Sequence, residues 1–238
     1  MELTDVTIDY GDVRAVDRLT LTAVGGRVLG MLGGNGAGKS STLRAIGGVN
    51  AHTSGRLLVA GFDLADPAGA EAARAVVGYC PDIGGLIAQA TPREHIDVVL
   101  ALRGATSQRR RAADLLEQFG LAESRDRPAG TFSHGMQRRL SVLLAVLTAR
   151  EALVLDEPFD GVDPTGVEVT SAAIRQAAAA GLSVIVSTHL QRLLMHACDD
   201  IAVLVRGRRV ATAAAADFAG DQGEQRYADL LRHSEAAA

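Results

Sequence analysis

The chain has no tryptophan and only two cysteines, and lysine occurs once among its 238 residues. Cys80 and Cys198 stand far apart, outside any CxxC spacing and without a histidine at ligand spacing, so neither a disulfide framework nor a zinc site is indicated. Both are expected to be buried thiols in a reducing cytosol. Nowhere do 18 apolar residues run together, and stretches such as VLLAVL are core-sized, so the chain is not expected to cross a membrane by itself. The opening MELTDVTIDYGD alternates polar and apolar residues and lacks the basic and apolar regions of a signal peptide. Basic excess is missing too: 24 Lys and Arg against 28 Asp and Glu leave a formal charge of −4, which argues against a general nucleic-acid binder. The run Arg109, Arg110, Arg111 sits early in a helical pattern and reads as a solvated face. There is no internal repeat, and no low-complexity segment beyond the alanines at 177 to 180.

What remains is ordinary globular composition, 47% hydrophobic and 22% charged, at a length that suits one large domain or a core with a smaller inserted lobe. Residues 2 to 31 read as short strands, ending in the apolar run RVLGML. KSSTLRAIGGV then has helical spacing and SGRLLVAGFDL returns to strand-like alternation. From about 83 to 149 the pattern is helical. One start is marked by Thr91 as N-cap, Pro92 at the first helical position and Glu94 three residues past the cap. A second helix is expected from about Ser107 to Gly120 and a third after Ser133. This strand-free block reads as a small helical lobe. ALVLDEP, a helix through TSAAIRQAAAAG and LSVIVSTH restore alternation, which predicts an α/β core with parallel strands. DIAVLVRGRRVATA reads as a hairpin, and the last 20 or so residues as a helix with a frayed tail.

The single lysine falls in GGNGAGKSS, where Gly33, Gly38, Lys39 and Ser40 meet the pattern GxxxxGK[ST]. A loop that turns a row of backbone N–H groups inward, followed by a helix N-terminus, holds a polyphosphate chiefly by main chain. Lys39 then reaches the β and γ groups, and the Ser40 hydroxyl completes a Mg²⁺ shell. The nest admits a compact ammonium on a flexible stem, whereas a planar guanidinium collides with the walls or splays the phosphates. Independently, ALVLDEP ends an apolar strand in two acids. Asp156 stands where it can hold Mg²⁺ through water, and Glu157 where it can polarise an attacking water.

With FSHGMQRRL, GVDP and STH added in order, the chain resembles the ATP-binding subunits of ABC transporters over roughly residues 1 to 215, leaving 216 to 238 as a helical tail. The resemblance implies an α/β P-loop NTPase core with a mixed, mainly parallel sheet, an N-terminal antiparallel β subdomain and an inserted α-helical subdomain. It implies that Tyr10 stacks on adenine and that Asn35, Gly36 and Ala37, between Gly33 and Gly38, belong to the phosphate loop. Ser41 would contact the α-phosphate, while Ser133 and Gly135 would bind the γ-phosphate held by the opposite subunit. Asp163 would face that subunit, and His189 would touch the γ-phosphate and hold the attacking water. Lys39, Glu157 and His189 form the implied catalytic set, with Ser40, Asp82 and Asp156 toward the metal.

Two departures stand out. In VVGYCPD, Asp82 occupies the place of a glutamine that usually contacts Mg²⁺ and communicates with the membrane subunit. In the signature, His134 and Met136 replace the commonest glycine and glutamine. His52, His95, His196 and His233 receive no role. The implied protein uses ATP and Mg²⁺, pairs with a second ATPase subunit, identical copies being the expectation, and drives a separate integral-membrane permease from the cytoplasmic face. GYCPD and TPREHIDVVLALRG are most similar to the exporter branch that handles drugs, lipids or polysaccharides. The competing readings are a soluble ABC-type ATPase acting as a regulatory or nucleic-acid-linked switch, and a cassette that binds ATP but barely hydrolyses it.

Overall fold

The computed structural model describes residues 1 to 236 apart from 83 and 196. Ile83, where the expected helical block starts, and His196 lie outside the described residues with Ala237 and Ala238.

The elements run in order β1 (Glu2–Tyr10), β2 (Val13–Thr22), β3 (Val28–Leu32), α1 (Lys39–Ile46), β4 (Ser54–Val59), β5 (Phe62–Asp63), α2 (Pro67–Val76), β6 (Val77–Cys80), α3 (Pro92–Leu102) and α4 (Arg109–Gln118). They continue with α5 (His134–Thr148), β7 (Ala152–Asp156), α6 (Pro164–Ala179), β8 (Ser183–Thr188), α7 (Gln191–Leu194), β9 (Asp200–Val205), β10 (Arg208–Ala214) and α8 (Gly220–Ala236). A four-stranded sheet has the order β2-β1-β4-β5 and is antiparallel throughout. A six-stranded sheet has the order β10-β9-β3-β8-β7-β6, parallel except for the terminal hairpin pair. The parallel sheet is the one expected from the alternation, and the antiparallel sheet stands where the resemblance implies an N-terminal β subdomain.

Strands β3, β7 and β8 are buried at every position, which is why their sequences are nearly continuous apolar runs rather than alternations. Their side chains still divide by pleat. Leu29, Met31, Val154 and Ile185 face Leu43 and Ile46 of α1, while Val28, Leu32, Leu153, Leu155, Val184 and Val186 face the helices on the other side. Each such side chain contributes about 1.5–3 kcal/mol relative to exposure. An ion pair such as Arg27–Asp200, at 2.7 Å, is exposed and screened by solvent, so the sheet core decides stability. On β6 the close approach is backbone to backbone: a Cβ at Gly78 would stand 2.0 Å from the Ala145 carbonyl oxygen of α5.

The helix starts follow their caps. The Thr91 hydroxyl accepts from the Glu94 N–H and the Glu94 carboxylate accepts from the Thr91 N–H, a complete capping box. The Ser133 hydroxyl accepts from the Met136 N–H at 3.2 Å and opens α5. The expected helix from Ser107 begins instead as a 3₁₀ turn over Thr106–Gln108 before α4. Helix α2 and strand β6 occupy residues 67 to 80, where the sequence pattern predicts no element. β-Bulges with Asp5 and Arg18 at positive φ interrupt the alternation of the paired strands β1 and β2. Cys80 and Cys198 are free and buried, and burial pushes both thiols up, Cys198 to about 12.

Candidate active site

Strand β3 delivers the chain into the glycine loop at Gly33, and the loop ends where Gly38, at φ +95°, caps α1. Only glycine takes that left-handed turn there without strain, and a Cβ at 38 would stand 2.6 Å from the Ala15 carbonyl oxygen. The loop is braced from behind: the Gly207 N–H donates to the Ala37 carbonyl at 3.0 Å, and a Cβ at Gly207 would lie 2.7 Å from the same Ala15 oxygen. The open face forms a cleft of about 550 Å³, lined by residues 34 to 41 together with Asp82, Glu157, Asp160 and His189. Main-chain N–H groups and the α1 N-terminus make this an anion site.

Lys39 is buried, and its ammonium donates to the Gly33 carbonyl at 2.7 Å and the Gly34 carbonyl at 3.3 Å. It stands 3.5 Å from Glu157 Oε1. The other carboxylate oxygen of Glu157 lies 3.2 Å from His189 Nδ1, which donates when the proton is on that nitrogen. Glu157 follows the end of β7 at φ +47°, a left-handed conformation that costs a non-glycine residue about 1–3 kcal/mol. Its N–H is secured by the Ser187 hydroxyl at 3.1 Å. The strain aims the carboxylate into the cleft between one cation and one imidazole.

Asp156 is fully buried. Its Oδ1 accepts from the Ser187 hydroxyl at 2.5 Å, while its Oδ2 is buried without a partner. Burial raises its pKa, against hydrogen bonds from Ser187 and Ser40. A buried carboxylate oxygen with no donor, next to a hydroxyl at the loop, fits a divalent cation. Among the described residues no group of three or more His, Cys, Asp or Glu is arranged to hold a metal. Mg²⁺ suits this, because it takes one or two protein oxygens and completes its shell with phosphate and water. Ser40 and Asp156 would hold it, and it would supply charge neutralisation at the phosphates.

The raised pKa has a stability consequence. The charged Asp156 carboxylate costs the folded state nothing below the usual aspartate value of about 3.9, and the cost grows as pH rises from there to the folded pKa. Asp156→Asn is therefore expected to raise the nucleotide-free melting temperature at pH 7, with the gain vanishing below about pH 4. Thermal melts at both pH values check this.

The other expected residues fall in two groups. Asn35, Gly36, Ala37, Ser40, Ser41 and Asp82 line the cleft with Lys39, and Gly33 supplies a carbonyl to Lys39. Tyr10 does not line it: its hydroxyl accepts from Asn50 Nδ2 at 2.9 Å, and Val13, Arg14 and Ala15 form that wall instead. Ser133, Gly135 and Asp163 are also outside this chain's own cleft. Ser133 caps α5, and Asp163 caps α6 by accepting from the Gly166 N–H at 2.7 Å. Sequence reasoning missed Asp160, which lines the cleft and bonds His134 Nε2 at 3.0 Å. Only its place between the acid pair and GVDP could have flagged it.

The family profile described as "ABC transporter" matches residues 16–160. The chain is 34% identical to the Nod factor export ATP-binding protein I of Sinorhizobium fredii over 212 residues, 88% of this chain and 61% of the relative. It is 32% identical to the daunorubicin resistance ATP-binding protein DrrA3 of Streptomyces coeruleorubidus over 97% of this chain and 75% of the relative. ATP-binding cassette sub-family A member 7 of Mus musculus is 35% identical over 87% of this chain, which spans only 10% of that protein's length. Among solved structures, an ATP-binding subunit of an ABC transporter superposes with a TM-score of 0.87 at 26% identity, covering 96% of this chain and 98% of the other.

Proposed function

We propose, starting from the fact that this chain belongs to the ABC transporter family, that it is an ATP-hydrolysing subunit that closes in pairs around two MgATP and drives export through a separate membrane permease. The observation that carries the ATPase reading is the Glu157 carboxylate, held 3.5 Å from Lys39 and 3.2 Å from His189 beside an anion nest. In this reading the nest and Lys39 hold the triphosphate, and His189 positions a water in line with the γ-phosphate. Glu157 takes the water's proton as the bond to phosphorus forms and the β–γ bridging bond breaks. Tyr10 or the Val13 wall would meet the adenine. Ser133, Gly135 and Asp163 would serve the nucleotide of the opposite protomer, which fits their absence from the cleft of their own chain.

Export is supported by the Sinorhizobium relative, which is named for Nod factor export. No helix among the described residues is long and apolar enough to cross a membrane, so the permease would be other chains or other segments. A docking surface is offered by the lobe, where Ile87, Val98 and Leu102 are exposed large apolar side chains, Leu102 at 81%. Arg103, by contrast, is occupied structurally, with Nη2 donating to the Val77 carbonyl at 2.8 Å. The test is co-purification from detergent-solubilised membranes together with phosphate release from MgATP. Leu102→Asp is expected to abolish recovery of the multi-span partner with an unchanged melting temperature. Recovery undiminished by this substitution removes α3 from the docking surface, and a membrane fraction with no partner overturns the transport reading.

A further inference from the structure

Arg138 lies on α5, five residues past Ser133, with its side chain only 4% exposed. Its Nη1 donates to the Pro81 carbonyl at 2.8 Å and to the Asp156 carbonyl at 3.4 Å. Its Nη2 donates to the Asp82 carbonyl and stands 3.5 Å from Asp82 Oδ1. One guanidinium on the helix that carries the signature thus grips the segment before and at position 82 and the end of the strand that carries Asp156. Taking such a cation out of water is costly unless an anion and acceptors meet it, and the Asp82 carboxylate is that anion.

Asp82 lines the cleft together with Glu157. A carboxylate there adds to the repulsion that Glu157 and Asp156 already offer an incoming triphosphate, which a neutral amide at the same place would not do. We propose that Arg138 is the positioning residue that makes an acid workable at position 82, holding the segment to the cleft wall and offsetting the carboxylate's charge toward the nucleotide. The assignment rests on the nucleotide reading of the cleft. It divides Arg138 into two separable actions: the carbonyl grips serve folding, and the charge serves the reaction.

The experiment uses the full chain and compares wild type, Arg138→Gln, Asp82→Gln and the double variant by MgATP binding, kcat/KM for hydrolysis and melting temperature. Arg138→Gln should lower both kcat/KM and the melting temperature. Adding Asp82→Gln should restore kcat/KM by about tenfold over Arg138→Gln alone, because the charge in need of an offset is gone. The melting temperature should stay low, because the carbonyls of Pro81, Asp82 and Asp156 still lack their donor. A double variant no faster than Arg138→Gln, or an Arg138→Gln chain with wild-type kinetics, overturns the assignment. Should Arg138→Gln not fold, Arg138→Lys decides: it keeps the charge and gives up most grips, so kcat/KM should remain within about threefold of wild type while the melting temperature falls. A loss of tenfold or more in that variant overturns the charge offset. Wild type that neither binds nor hydrolyses MgATP overturns the ATPase reading and this assignment together, whereas an active wild type without the Asp82→Gln recovery overturns this assignment alone.

Discussion

Glu157→Gln is expected to lower phosphate release from MgATP by about 10²–10⁴-fold, the range that a positioned general base contributes. The amide keeps the size of the carboxylate and can still meet His189, but it cannot take a proton from water. MgATP binding should survive, since the nest and Lys39 are untouched, and removal of one negative charge 3.5 Å from Lys39 frees that ammonium for the phosphates. Nucleotide that is bound but not cleaved should then hold two chains together, so sedimentation in MgATP should show a dimer where ADP leaves monomers. Wild-type turnover in this variant would take Glu157 out of the mechanism.

Lys39→Ala has the second large effect, on affinity. Its ammonium is buried, and its contacts are two loop carbonyls and Glu157. A hydrogen bond to a charged group contributes about 1.5–3 kcal/mol, so the dissociation constant for MgATP should rise by about 10- to 150-fold in a calorimetric titration. Lys39→Arg should not restore it. The wide guanidinium has no room beside the Gly33 and Gly34 carbonyls, and its charge would lie across the loop rather than along it. Affinity fully retained in Lys39→Ala would show that the loop amides alone hold the phosphates.

The parts of this molecule legible in its sequence are those where a local pattern has one physical solution. Apolar runs ending in a glycine loop or an acid pair can hardly be anything but buried parallel strands, and β3, β7 and β8 lie where the runs are. Thr91-Pro92-Arg93-Glu94 spells out its capping box, and α3 starts there. Helix α2 has a plain start in Asp66 and Pro67, yet it buries only Ala73 and so carries no apolar periodicity to announce it. Strand β6 was missed because four residues are too few to show a period; its place depends on Gly78 admitting the α5 backbone. At the site, the loop and the acid pair were readable from type and spacing. The Asp82–Arg138 and Asp160–His134 contacts were not, since they join residues 56 and 26 positions apart that meet only once the sheet and α5 have packed.

The brace behind the glycine loop carries a last consequence. The Ala15 carbonyl of β2 lies behind both Gly38 and Gly207 and leaves no room for a Cβ at either, so the N-terminal sheet backs the loop closely on that side. Backbone packed this closely behind the turn limits the conformations open to the loop, and a loop so limited gives up less entropy when it binds phosphate. A strand from the neighbouring sheet therefore helps to fix the curvature of the turn, through one oxygen atom on its far side.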